Sequence, residues 1–359
     1  MDFSFNDSSI AVRDLARGLF LRSRGPSFAT LAETGLLGVA VPEAFGGSGQ
    51  GLIELFVLLR EAGSAALSVP LVETLCAAAM SVARFGSDDQ RRRYLSQWCR
   101  GEHVLTAALT EGGHGDFAAP RTSAVRRGDS WVLSGRKVIV ALADVAHRIL
   151  VSAKTADGAI GLFLLDPRAS GVTLTPQVIT TGETRFDVHL EWAPVTDDDV
   201  LVAPTVAESR KEAADWVSGC ATLGLCALQL GGVERVLQMT AEYISTRVQF
   251  DRPIATFQAA AHRAANARID VDAIRLSLWQ AAWRFAEERG AAAEIAMAKF
   301  WCADAGYRVV CAAQHLHAGI GFDLEYPLHR YYLQAKLNEL MLGGASEQLR
   351  HIGAQLAEA

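Results

Sequence analysis

The sequence has no Cys-x-x-Cys pair, no His-Glu-x-x-His and no other metal-ligand spacing among its nine histidines. On motif grounds this excludes a zinc module and a dithiol redox centre. The six cysteines, at 76, 99, 220, 226, 302 and 311, stand mostly among Ala, Leu, Val and Trp in helix-like stretches and read as buried small hydrophobes. There is no basic surplus either: the formal net charge is −6, against the basic face a nucleic-acid partner demands. No uninterrupted apolar run reaches membrane-spanning length. The opening MDFSFNDSSI has neither the basic start nor the apolar stretch of a signal peptide. These absences predict a cytoplasmic protein with no metal, no membrane and no nucleic acid among its partners.

What is present is apolar sequence in quantity. Half of the 359 residues are hydrophobic, at a length where one core stops growing and a chain divides into subdomains. Residues 9–21 place Ile10, Val12, Leu15, Leu19 and Phe20 near a 3.6-residue period, and helical patterns follow over 52–62, 72–85 and 88–99. The intervening GLLGVAVPEAFGGSGQG (35–51) is rich in glycine, but it does not open a βαβ unit and so is not a dinucleotide fingerprint. From about 104 the texture changes to short β-rich runs (HVLTAALT, SAVRRGDSWVLSGRKVIVAL, RILVSAKT, IGLFLLD, DVHLEW) parted by turn residues. Long alanine-rich helical segments then run over 208–245, 257–288, 292–317 and 328–342, and a last helix follows Gly344. The pattern predicts an α+β multidomain chain: an N-terminal helical domain (1–103), a middle antiparallel β domain (104–205) and a C-terminal four-helix bundle (206–359). A bundle this rich in alanine has more apolar faces than one four-helix core can bury, which predicts a dimer or a dimer of dimers.

One stretch interrupts the last helices. TRVQFDRPIATFQ (246–258) presents Arg247, Phe250 and Gln258 around a helix-breaking Pro253. It reads either as a plain connection between antiparallel helices, with Arg247 capping a helix C-terminus by its charge, or as three side chains reaching out to a ligand.

Five segments in order resemble the acyl-CoA dehydrogenase family of flavoproteins: VPEAFGG (41–47), ALTEGGHGD (108–116), GDSWVLSGRKVIV (128–140), YISTRVQFDRPIATFQ (243–258) and LHAGIGFDLEYPLHRYYLQAK (316–336). Together they span essentially the whole chain. The resemblance implies FAD as cofactor and α,β-dehydrogenation of an acyl-CoA thioester, with electron-transfer flavoprotein as acceptor. It implies that Leu109 and Thr110 lie against the flavin ring. It also implies that Arg247, Phe250 and Gln258, with His315 and Gly319, contact the FAD of a neighbouring subunit. A guanidinium fork suits a pyrophosphate, and an aromatic ring can pack on the cofactor.

The departures from the family are as specific as the matches. The family's glutamate base occupies one of two positions, which fall here at Leu342 (Gly343 if the register slips by one) and at Ala221, and no carboxylate lies between Trp216 and Gly232. The hairpin's usual Trp and Thr against the flavin are Ile139 and Ala141. The sheet motif lacks its Pro and Ser, and TEGGHGD is one residue short. The later Gln is His315, and one glycine of that turn is Ala318. Glu339, one helical turn before Leu342, is the substitute base to weigh against an ordinary ion-paired helix carboxylate beside Lys336; Glu347 and Asp116 are weaker candidates. Three functions stay open: a subunit of a heteromeric acyl-CoA dehydrogenase whose homologous partner holds the base, a self-sufficient homo-oligomeric dehydrogenase or flavin monooxygenase with a displaced base, and a non-catalytic scaffold.

Overall fold

In a computed structural model of the protein, residues 4–22, 25–113, 116–204 and 208–358 are described. His114 and Gly115 of the ALTEGGHGD segment, and the expected boundary between 205 and 206, lie outside the described residues. The element order is helical, then β, then helical. Helices α1 (Asp7–Arg22), α2 (Phe28–Glu33) and α3 (Leu52–Ser64) come first. A π-helical stretch, Val72–Ala79, then runs into α4 (Met80–Phe85), and α5 (Asp88–Cys99) follows. The strands are β1 (Leu105–Ala108), β2 (Thr110–Glu111), β3 (Ser123–Arg127), β4 (Ser130–Ala141), β5 (Arg148–Lys154), β6 (Ile160–Leu165), β7 (Val172–Val178), β8 (Thr184–Thr196) and β9 (Val200–Val202). Then come α6 (Glu208–Thr246), a miniature hairpin of β10 (Val248–Gln249) and β11 (Arg252–Pro253), α7 (Gln258–Ala286), α8 (Ala292–His317), α9 (Leu328–Leu340) and α10 (Ala345–Glu358).

The chain packs as two compact units, one of residues 25–55 and 68–221 and the other of 1–24, 56–67 and 222–359. In the first, the sheet runs β7-β8-β4-β3-β5-β6-β9, with β1 added to β5 and β2 to β4. The expected antiparallel sheet is in fact mixed: β1 and β3 both meet β5 in parallel, because each of them reaches β5 through a crossover instead of a tight turn. One face carries the core, with Trp131, Leu133, Val151, Phe163, Phe186 and Val188 among its members. The opposite face carries ion pairs. Buried Arg185 is paired with Glu73 of the π-helical stretch and with Glu183, and exposed Arg136 with buried Asp187. A helix widened to a π turn was not expected over 72–79; it buries all eight of its residues and brings Glu73 to Arg185.

A further buried charge pair joins four strands. Lys137 on β4 donates to Glu111 on β2 at 2.7 Å and to the Ser152 carbonyl of β5 at 2.9 Å. The Glu111 carboxylate also accepts from the Arg121 and Thr122 amides (2.7 and 3.0 Å) and the Thr122 hydroxyl (2.6 Å), at the entry to β3. Burial by itself would raise the Glu111 pKa, but the Lys137 ammonium and the Thr122 donors outweigh it and hold the carboxyl at about 2.

In the second unit α3 and α6 cross at glycines. A Cβ on Gly63 would stand 1.8 Å from the Leu228 carbonyl oxygen, and one on Gly231 1.7 Å from that of Arg60, so no other residue fits at either. Ion pairs link the helices around the crossing: Arg17 to Glu61, Arg60 to Glu234, Arg275 to Glu234. Among the described residues one helix is long and apolar enough to span a membrane: within α6, residues 211–246 have a mean hydropathy of 1.4 over the best window, although the sequence shows no unbroken apolar run. That window is 83% buried inside the protein, which makes it a core helix.

Lys137→Met would leave a buried carboxylate without its cation, so a loss of about 3–5 kcal/mol is expected in urea unfolding at pH 7. Because the folded-state pKa of Glu111 lies below the ordinary 4.5, its contribution is present above pH 4.5 and fades as pH falls toward 2. The gap between parent and variant should narrow over that window; a pH-independent gap would show that Glu111 is not the group involved.

Candidate cofactor and active site

The turn after α6 is built to project side chains outward. Phe250 (φ 52°) and Asp251 (φ 62°) are both left-handed, the signature of a two-residue type I′ hairpin joining β10 to β11. An aromatic residue is costly in that conformation, and the ring it carries is 87% exposed. The hairpin folds against the start of α7, with Phe250 edge-on to Phe257 at 6.1 Å and Arg252 stacked over Phe257 at 4.1 Å. Gln258, the first residue of α7, is exposed. The Arg247 amide donates to Tyr243 at 2.9 Å and its carbonyl accepts from Ile254 at 2.9 Å. Its guanidinium is exposed and has no partner among the described residues, so it does not cap the carbonyls at the end of α6.

The end of α8 lies beside this turn. His317 stacks on Tyr243 with ring centroids 4.5 Å apart, one helical turn before Arg247. His315 and Gly319 are exposed, and a Cβ on Gly319 would meet nothing within 4 Å. Between them Ala318 has φ 55° and ψ −134°, backbone space that suits glycine. One compact unit thus brings Arg247, Phe250, Gln258, His315 and Gly319 to one end.

Both base positions are apolar and closed. Leu342 is 6% exposed and left-handed (φ 57°), and Ala221 is fully buried within α6. The loop holding Leu342 is fixed by two residues that carry no sequence signal. The fully buried Lys299 of α8 donates to the Asn338 and Glu339 carbonyls at the end of α9, at 2.9 and 3.1 Å, and Gln348 donates to the Leu342 carbonyl at 3.1 Å. Glu339 is held by Lys336 at 3.0 and 3.1 Å, and Asp116 caps a turn by accepting from the Ala118 amide at 2.9 Å. Glu347, partly buried, sits in the first turn of α10.

Leu109, Thr110, Ile139 and Ala141 belong to the sheet unit. Leu109 and Ala141 are buried, and Ile139 is left-handed (φ 58°) at a bulge between Lys137 and Val140. Of these four side chains only Thr110 offers a polar atom. The unpartnered guanidinium, exposed ring and exposed amide of the Arg247 turn fit the phosphate, ring and polar edges of FAD held outside this chain. The sheet residues fit a flavin poorly, offering one hydroxyl and no aromatic surface.

Ala318→Gly should relieve about 1–3 kcal/mol of backbone strain, against about 0.5–1 kcal/mol of extra chain freedom in the unfolded state. A rise in unfolding free energy of roughly 1 kcal/mol is expected in urea; an unchanged or lower value would show the turn to be unstrained.

Comparison with known proteins bears on the whole chain. Sequence models of the acyl-CoA dehydrogenase N-terminal, middle and C-terminal domains match residues 11–102, 106–189 and 221–357. The chain is 41% identical over 337 residues to acyl-CoA dehydrogenase FadE27 of Mycobacterium tuberculosis, covering 91% of this chain and 87% of that protein. It is 33% identical to FadE28 of the same organism over 99% of both. Among solved structures it is similar to the ChsE4-ChsE5 complex of M. tuberculosis (TM-score 0.91, 36% identity, 100% of both chains) and to a Tcur3481-Tcur3483 steroid ACAD variant (TM-score 0.88, 38% identity, 98% of both). A profile match to all three domains, in order, with identities above 30% over nearly full length, means that this chain belongs to the acyl-CoA dehydrogenase family of FAD-dependent oxidoreductases acting on CH–CH bonds.

Proposed function

We propose that this chain is one subunit of a heteromeric acyl-CoA dehydrogenase, in which a homologous partner subunit supplies the glutamate base and most of the flavin cradle. The observation that carries this reading is an asymmetry. The residues that face outward from the end of the helical unit keep the chemistry to hold FAD, whereas both base positions and the sheet positions have lost theirs. Simple decay would not spare the residues offered to a neighbour. The likeness to a two-protein complex and to a steroid enzyme supports a heteromer working on a steroid-bearing acyl-CoA thioester; we place it in the cytoplasm, with electron-transfer flavoprotein as acceptor, as the resemblance to the family implies.

In this assembly Arg247 takes the pyrophosphate of the partner's FAD as a charge-assisted fork. Phe250 packs on the cofactor, and Gln258, His315 and Gly319 line its approach, the glycine leaving room. FAD, when bound, supplies the hydride acceptor. The α-proton of the thioester needs a carboxylate within reach and hydrogen bonds to the carbonyl oxygen that stabilise the enolate. The Leu342 and Ala221 side chains supply no carboxylate, and Glu339 would first have to leave Lys336.

General-base help in such a step is worth about 10²–10⁴ in rate. The chain alone should therefore turn over CoA thioesters slowly or not at all with an artificial electron acceptor, and turn over well with its partner. Robust turnover by the chain alone, abolished by Glu339→Gln, would replace this reading with a self-sufficient enzyme that uses Glu339. For Arg247→Ala, the loss of one charge-assisted phosphate contact, about 1.5–3 kcal/mol, should weaken FAD binding to the assembled oligomer by roughly one to two powers of ten. Unchanged affinity in an FAD titration would remove Arg247 from the site.

A further inference from the structure

His317 ends α8 and is 1% exposed, although its neighbours His315, Ala318 and Gly319 are exposed. Its Nδ1 lies 2.9 Å from the Ala313 carbonyl oxygen, which can only accept, so Nδ1 carries the hydrogen and donates. Nε2 then accepts from the Tyr326 hydroxyl at 3.1 Å. Burial lowers the pKa of the ring and keeps it neutral, as this arrangement requires. One ring face stacks on Tyr243 at 4.5 Å, nearly parallel, and the Tyr326 ring tilts against it at 5.3 Å. The Tyr243 backbone carbonyl in turn accepts from the Arg247 amide in the last helical hydrogen bond of α6. Three elements thus meet on one imidazole: the last turn of α6, the end of α8 and the turn leading to α9.

We propose that His317 is a positioning residue for FAD, setting the direction in which Arg247 leaves α6 and locking it to the turn that carries His315 and Gly319. An apolar ring would fill the same space without fixing its own rotation. Two directional bonds at opposite nitrogens set the imidazole plane, and the stacked Tyr243 follows it. Arg247 lies just before, and Phe250 in, the two-residue hairpin beyond that residue, where a small change of angle moves the guanidinium and ring furthest. The left-handed Ala318, next in sequence, also needs surroundings that over-determine it. The inference rests on the reading of Arg247 as an FAD ligand.

The test is a double-mutant cycle on FAD affinity in the assembled oligomer, with His317→Phe, Arg247→Ala and the combined variant, and with melting temperatures recorded alongside. His317→Phe keeps a stacking ring but removes both hydrogen bonds. It should weaken FAD binding about tenfold in the parent background and about twofold or less once Arg247 is gone. If His317→Phe does not assemble, Tyr326→Phe removes one bond only and should show the same dependence on Arg247 with a smaller loss. An equal loss in both backgrounds, or no loss in a well-folded oligomer, would reduce His317 to a structural residue. Arg247→Ala without effect overturns the ligand reading and the positioning role together, whereas an Arg247 effect with additive losses overturns the positioning role alone.

Discussion

Arg247 carries a guanidinium that finds no acceptor among the described residues, at the end of a helix whose terminal carbonyls it leaves alone. A charge-bearing fork of five donors is rarely kept idle, and the surrounding structure is arranged to hold it out. α6 is mostly buried along its apolar window. It is fixed to α3 by a glycine crossing where a single added carbon would overlap a carbonyl. Its last turn is stacked on His317, and its exit is a hairpin that accepts two left-handed residues to place Phe250 in the open. The rigidity of the helical unit is thus concentrated behind one exposed group of atoms.

Backbone conformation picks out the same places. Of the nine non-glycine residues with left-handed φ among the described residues, five fall in the candidate stretches: Ile139, Phe250, Asp251, Ala318 and Leu342. Such residues persist where the surroundings over-determine them, and they cluster at binding and active sites. Here they fall into two kinds. Phe250 and Ala318 are strained and exposed, presenting atoms outward. Leu342 is strained and buried, its loop pinned by Lys299 and Gln348, so a geometry suited to a functional residue is retained while an apolar side chain occupies it.

Much of this was legible in the sequence because it depends on residue identity. The helix, sheet, helix order follows from periodicity and turn chemistry, and the missing base is simply the absence of a carboxylate at Leu342 and Ala221. What was not legible depends on partners distant in sequence. β7 is an edge strand with Pro176 in it, and most of its residues are exposed, so its short alternation of Val172, Leu174 and Val178 with polar residues reads as turn sequence. The π-helical stretch has a composition that would equally suit an α-helix, so nothing in the sequence marks its wider turn. Lys299 looks like any helix lysine in AMAKFWC, yet its ammonium is wholly buried and caps a helix some forty residues on. His317 stood next to recognisable positions, but only the three-dimensional stack shows that Tyr243 ties it to Arg247.

The central claim, a site shared between unlike chains, is tested most directly by counting flavin. FAD per polypeptide should be measured for the chain purified alone and for the chain co-purified with its homologous partner. Little or no FAD on the chain alone, and one FAD for each pair of unlike chains in the complex, is the expected result. One tightly held FAD per chain in the protein purified alone would contradict it, because the sheet positions of this chain would then be building a complete flavin site of their own.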